Sequence, residues 1–329
     1  MSGPRTDRAI SHEGPAAGEP GDTGPDDGVL LGVDIGGTKV ALATADLDGH
    51  ILERALLETL AERGADQVMD RTIDAARTLI ASAGGRCLAV GTASPGIVRS
   101  DGNLLSPNIP GWERVRLAER FRIDLAVPNV AAGNDVKTAA IAEVRHGALR
   151  GADPAIFLSL GTGVAAAIVH DGQIVPGAHG AAGEFGYNLR GVSDRYGAAD
   201  GRCPLEEAVG GRGIIERAAT ALGTRVTAAE LFARTDSAAR ELVDEILDEL
   251  AVHVANLAIA VDPDRIAVGG GLTADTERML GALQRRLRQA VPFPPDLVTA
   301  RYQQDGALVG ALTLAADCRT ARHPTDASC

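Results

Sequence analysis

The chain has 329 residues, 45% hydrophobic and only 3% aromatic, a length at which two lobes around a core of Ala, Val, Leu and Ile are expected. A formal net charge of -12 argues against a broad surface for nucleic acid or anionic membrane, since both need clustered positive charge. Cys87, Cys203, Cys318 and Cys329 lack Cys-x-x-Cys spacing, and neither an apolar run of about 18 residues nor a secretory leader is visible, so the chain reads as cytoplasmic and free of disulfides.

Residues 1–28 are rich in Gly, Pro, Asp and Glu without apolar periodicity and read as a disordered tail. A short apolar run at 29–33, a tight turn at Gly36-Gly37 and a β-favouring run at 40–44 lead to the hairpin signal Asp48-Gly49. Val68, Ile73, Leu79 and Ile80 fall at helical spacing and predict a helix over 62–83. Residues 87–93 read as a buried strand entering Ser94-Pro95-Gly96, followed by a loop through Trp112. Residues 127–130 read as a strand and 135–149 as a helix, with Asn134 near its start.

A second unit then repeats the first. Strand 155–160, the turn Gly161-Thr162-Gly163, strand 164–170 and the hairpin turn Asp171-Gly172 before 173–175 match the order seen from residue 29 to 53. Two such copies suggest duplicated lobes around a cleft. Helices follow at about 205–220, 227–234 and 237–261, then a strand at 265–268 ending in Gly269-Gly270-Gly271, and helices at 275–290 and 306–317. The expected division is an N-terminal lobe at 29–134, a C-terminal lobe at 135–305, a closing helix at 306–317 returning to the first lobe, and a flexible tail at 318–329.

The six residues Asp34-Ile35-Gly36-Gly37-Thr38-Lys39 have the composition of a phosphate cradle. Glycines let backbone N–H groups approach an anion, Thr38 offers a hydroxyl and Lys39 a point charge. β-type residues rather than a helix follow, which excludes the Walker and Rossmann patterns. Alone, the segment reads equally as a plain tight turn with Lys39 solvated. The second glycine turn at Gly161 tips the balance towards phosphate handling. His179 reads as a loop residue and Lys137, the other lysine of the chain, as a solvated helix lysine before a contributor to anion charge neutralisation.

In chain order, D-I-G-G-T-K, S-P-G-I-V, S-P-N-I-P-G-W, G-N-D-V, L-G-T-G-V, G-A-H-G-A-A-G-E-F-G-Y and V-G-G-G-L resemble the motifs of ROK kinases, over roughly residues 29–316. The resemblance implies an α/β, actin-like, hexokinase-like (ribonuclease H-like) fold whose two lobes close over sugar and ATP. It implies that Asp34, Gly36, Gly37, Thr38 and Lys39, together with Gly161, Thr162 and Gly163, contact phosphate, with Asp34 helping to hold hydrated Mg2+. Gly269, Gly270 and Gly271 resemble the adenosine-side turn. The second phosphate turn is thinned, because Val164, Ala165 and Ala166 stand where further glycines normally follow.

Asn134-Asp135 resembles the family's sugar pair, with Asp135 as the base that takes the proton of the attacking hydroxyl. In isolation either residue reads as a helix cap. A primary alcohol attacking a γ-phosphate needs alignment above all, and a carboxylate within hydrogen-bond reach supplies it. Glu184 and Glu206 resemble the glutamates that bind sugar hydroxyls, although Glu206 alone reads as a solvated first-turn residue. Asn108 lines the sugar pocket by the same resemblance and is equally a turn former.

One departure is specific. ROK proteins commonly bind zinc through one His and three Cys, but Tyr187 stands at the His position and Gly197, Ala199 and Pro204 at the cysteine positions, with Cys203 one residue out of register. A lone thiolate cannot close a four-coordinate site, so no zinc is expected, and Tyr187 is expected to alter the sugar pocket. The expected activity is phosphorylation of the 6-hydroxyl of glucose or of an amino sugar such as 3-amino-3-deoxyglucose, of the kind antibiotic pathways use. A homodimer is expected from the resemblance. The rivals are a sugar-responsive ROK regulator, for which the 28 residues before the first strand leave no room for a DNA-binding domain, and a catalytically silent sugar-binding protein.

Overall fold

The computed structural model describes residues 28–106, 108–272 and 276–320. Residues 1–27 and 321–329 of the expected tails lie outside them. The first half runs β1 (Val29–Ile35), β2 (Lys39–Ala45), β3 (Ile51–Glu58), α1 (Ala65–Ser82), β4 (Cys87–Ser94), β5 (Ile97–Arg99), β6 (Gly102–Leu104), α2 (Leu117–Asp124), β7 (Asn129–Asn134) and α3 (Asp135–His146). The second runs β8 (Ala155–Leu160), β9 (Val164–His170), β10 (Gln173–Ile174), α4 (Pro204–Val209), α5 (Gly211–Leu222), α6 (Ala228–Ala233) and α7 (Ser237–Val261). It ends with β11 (Arg265–Gly269), α8 (Thr276–Ala290), β12 (Asp296–Thr299) and α9 (Gly306–Thr320).

Two five-stranded sheets share one topology, β3-β2-β1-β4-β7 and β10-β9-β8-β11-β12. In each, the first three strands form an antiparallel meander, and the last two run parallel to the first strand of the set. The internal repeat is therefore a repeat of structure. β1 is apolar on both faces because both are covered, by α1 on one side and α9 on the other. Edge strand β3 is mostly exposed or half-exposed.

Separate cores support the two sheets. Leu31, Val33 and Leu42 pack with Met69, Ile73, Trp112 and Phe121, while Ile156, Leu158 and Leu160 pack with Leu205, Ile214, Ile246, Leu250 and Leu283. Helix α9 lies between the first sheet and α3. Its passage requires glycine, since a Cβ at Gly91 would come 1.8 Å from the Ala311 carbonyl oxygen and one at Gly310 would come 1.8 Å from that of Thr138.

Several boundaries differ from expectation. α3 stops at His146 rather than 149 because the buried Glu143 carboxylate accepts from Ala148 N, Arg301 N and Tyr302 N at 2.7, 3.1 and 2.8 Å, turning the chain out of the helix. The expected helix over 205–220 breaks at Gly210, which is extended (φ -74, ψ 158). α9 continues to Thr320, so residues 318–320 of the expected tail are helical. The β5–β6 hairpin, α2 and β12 were not foreseen. Among the described residues no helix is long and apolar enough to cross a membrane.

Candidate active site

The first glycine turn joins β1 to β2. Gly36 N donates to Lys39 O at 2.8 Å, and the buried Thr59 braces the turn, its hydroxyl donating to Gly36 O at 2.7 Å and its N–H to Thr38 O at 2.9 Å. Thr38 and Lys39 are exposed. Asn108 sits over the turn, 3.5 Å from where a Cβ on Gly37 would lie. Asp34, at the end of β1, accepts no hydrogen bond from the described residues, and burial, then Asp135 and Asp305, push its carboxyl up to about 7. Like-charged carboxylates crowded out of water fit a hydrated divalent cation such as Mg2+.

β7 ends at Asn134, and α3 starts with Asp135. Asn134 caps the helix: Oδ1 accepts from Lys137 N at 3.0 Å, while Nδ2 donates to Gly96 O at 2.8 Å. Both ends of its amide are thus engaged within the protein. Asp135 Oδ1 accepts from Val136 N at 2.9 Å. Burial raises the Asp135 carboxyl to about 6, with Glu184 adding to the rise and the Val136 N–H opposing it.

Lys137 is not solvated as expected. Its side chain is buried, and Nζ donates to the carbonyl of Gly180. Burial lowers its pKa against the field of Glu184. Glu184 follows Gly183, whose φ of 87° and tight seat, with a Cβ due 1.9 Å from Ala166 O, admit only glycine. Burial raises the Glu184 carboxyl, Lys137 lowers it and Glu206 raises it.

Glu206 is also not the solvated helix residue it reads as in isolation. It leaves the first turn of α4 to accept from Val164 N at 3.1 Å, and a Cβ on Gly163 would come 2.2 Å from its Oε2. Burial lifts its carboxyl pKa. Tyr187 is half-buried, its pKa raised by burial and by its hydrogen bond to Cys203. These carboxylates interact pairwise: Asp34 with Asp135, Asp135 with Glu184, and Glu184 with Glu206, which holds the second glycine turn.

That second turn is built from three segments. Gly161 N donates to Gly163 O at 2.9 Å, Gly211 N donates to Gly161 O at 2.9 Å, and Leu272 N donates to Leu160 O at 2.9 Å. Gly270, at φ 101°, backs onto Leu160, where a Cβ would come 2.3 Å from the carbonyl oxygen. The turn at Gly269–Gly271 and the glycine-rich start of α5 therefore both abut Gly161.

The family model for the ROK family matches residues 30–318. The chain belongs to the ROK family. This ROK protein is 32% identical over 297 residues to the N-acetylmannosamine kinase of Shigella flexneri, across 87% of its own length and 98% of that protein's. It resembles the ROK family glucokinase from Streptomyces griseus in complex with glucose and AMPPNP at a TM-score of 0.74 and 28% identity, covering 88% and 100% of the two chains. The ROK hexokinase from Thermus thermophilus gives 0.73 and 29%, covering 87% and 97%. The fold of this ROK protein is the actin-like, hexokinase-like one, and the protein is a sugar kinase.

Three features of the candidate site carry little or no signal in the sequence. Asp305, at the start of α9, adds to the field on Asp34 and pairs with Arg54 on β3 at 3.0 Å. Its signal was an acidic residue just before a helix. Gly210 and Gly211 bring α5 under Gly161 and Thr162 while Gly213 lets it pass the Glu207 carbonyl, and the run Gly-Gly-Arg-Gly between two helical stretches is visible in the sequence. The engagement of Lys137 with a loop more than 40 residues away left no local signal.

Proposed function

We propose that this sugar kinase transfers the γ-phosphoryl group of ATP to the 6-hydroxyl of a hexose or amino-hexose, with Asp135 as the general base. The observation that carries this reading is Asp135 itself, the first residue of α3, set between Asp34 and Glu184 with its carboxyl raised to about 6. At neutral pH such a group is mostly ionised, yet more basic than a solvated carboxylate, which suits it to orient an alcohol and take its proton.

In this reading the turn closed by Gly36, with the N–H groups of Gly37 and Thr38, the Lys39 ammonium and the turn Gly161-Thr162-Gly163 hold the phosphates of ATP. Gly270 and Gly271 take its adenosine side. Asp34 holds the hydrated Mg2+ that accompanies ATP. When bound, that ion supplies neutralisation of phosphate charge. Asn108, Asn134, Asp135, Glu184, Tyr187 and Glu206 surround the sugar, Asn134 by fixing the start of α3.

On the sugar side three carboxylates, Asp135, Glu184 and Glu206, interact in sequence, with Lys137 as the cation acting on Glu184 and Arg212 the one acting on Glu206. That excess of negative charge favours a protonated amino-hexose such as 3-amino-3-deoxyglucose over neutral glucose. The relatives at 32% identity make N-acetylmannosamine the further candidate. ADP release measured with each sugar in turn tests the reading. Stimulation by at least one hexose is expected, with a sugar 6-phosphate as product by phosphorus NMR. No stimulation by any sugar removes the proposal.

A further inference from the structure

We infer that Lys137 is a positioning residue for sugar recognition: it ties the loop that carries Glu184 to the first turn of α3, so that Glu184 and Asp135 meet the substrate as one unit. The inference deepens the sugar-kinase reading and rests on it. Lys137 is 8% exposed, and its ammonium spans from α3 to the carbonyl of Gly180. Its own N–H is fixed by Asn134 Oδ1 at 3.0 Å, so the root of the side chain is held as firmly as its tip.

The loop from Pro176 to Tyr187 is pinned at three places. Gly180 is held by Lys137 and lies against Ile97, where a Cβ would come 2.9 Å from Cγ2. Gly183 O accepts from Ala166 N at 2.8 Å, and Phe185 is buried in the core of the second sheet. Glu184 lies between the last two pins. Of the three, only the Lys137 pin reaches the helix that bears Asp135, and only it is charged.

An apolar side chain would fill the same space without the cost of burying an ammonium. What the ammonium adds is a donor for Gly180 and a charge facing Glu184. Burial, Glu206 and the neighbouring Asp135 disfavour the ionised form of Glu184, and Lys137 is the charge that favours it. An ionised carboxylate accepts hydrogen bonds from paired sugar hydroxyls, whereas a protonated one has less accepting capacity.

The test is Lys137→Met, made in the wild type and in a Glu184→Gln background, with KM for sugar, KM for ATP and kcat measured in each. In the wild-type background KM for sugar should rise about tenfold or more, the loss of one charge-assisted interaction, while KM for ATP stays unchanged. In the Glu184→Gln background the same substitution should add less than about threefold, because the two residues act as a coupled pair. An active wild type whose sugar KM is indifferent to Lys137→Met overturns the inference and leaves the kinase reading intact. So does an equal effect in both backgrounds, or a joint rise of both KM values, which marks a merely structural role. If the methionine variant does not fold, Lys137→Gln, which keeps a donor for Gly180 and drops the charge, carries the same comparison. A wild type that neither binds a hexose by titration calorimetry nor turns one over removes the kinase reading and this inference with it.

Discussion

Burial is the largest cause of the raised pKa at Asp34, Asp135, Glu184 and Glu206, ahead of any neighbouring charge, and that order decides how single substitutions act. If Asp135 is the base, Asp135→Asn keeps the size of the side chain and the cap region of α3 but cannot take a proton. We expect kcat to fall roughly 100- to 10,000-fold with sugar affinity by calorimetry little changed. In the wild type, kcat should rise with pH through about 6 as Asp135 ionises, an acid limb the asparagine variant should lack. Near-normal turnover in Asp135→Asn would reject the assignment. Asp34 gives a prediction about stability. Its folded-state pKa of about 7 lies above the ordinary carboxylate value of 3.8, so between those values the folded protein holds the proton more tightly. Stability is therefore lost as pH rises across that window, and the loss is complete above about 7. Asp34→Asn removes this penalty. In magnesium-free buffer the variant should gain on the order of 2 kcal/mol in urea unfolding at pH 8 and less at pH 5, while losing activity. An equal gain at both pH values would show that the effect is not ionisation.

At the scale of elements, legibility in the sequence followed length and periodicity. β8, β9 and α7 were expected at the boundaries the structure gives, because each is a long apolar or amphipathic run closed by a glycine turn, an Asp-Gly hairpin signal or an Asp cap. β5, β6 and β12 are three or four residues long and carry too few apolar positions to show a period. The glycine turns and Asp135 were legible as types, while the burial of Lys137 and Glu206 depends on contacts with distant segments. Glu143 is the strongest such case, since a mid-helix glutamate usually reads as solvated. Its two oxygens accept three backbone N–H groups, from Ala148, Arg301 and Tyr302. Glu143→Ala leaves those three part-buried donors without partners and should cost about 3 kcal/mol by urea unfolding. Glu143→Gln keeps one acceptor oxygen and should cost about half as much. A loss below about 1 kcal/mol in the alanine variant would mean that water replaces the carboxylate there.

For the whole molecule, the chain passes from the first sheet to the second through β7 and α3, and returns from β12 through α9. Both crossings begin with a carboxylate that acts on Asp34, Asp135 at the start of α3 and Asp305 just before α9. The two helices touch where Gly310 meets Thr138, so they form a common spine between the sheets. The proposed ligands come from both sides of that spine: Asp34, Lys39 and Asn108 precede it, while Gly161, Glu184 and Glu206 follow it. A sugar and a nucleotide held by both sides gain contacts when the sides approach, and the cation with ATP offsets the mutual repulsion of the carboxylates. Small-angle X-ray scattering should therefore show the radius of gyration falling by about 1 Å when sugar and a non-hydrolysable ATP analogue with Mg2+ are added together, and by less with either alone. A radius unchanged by the full set, under conditions where calorimetry shows both ligands bound, would mean that the cleft is preformed and that catalysis here requires no closure.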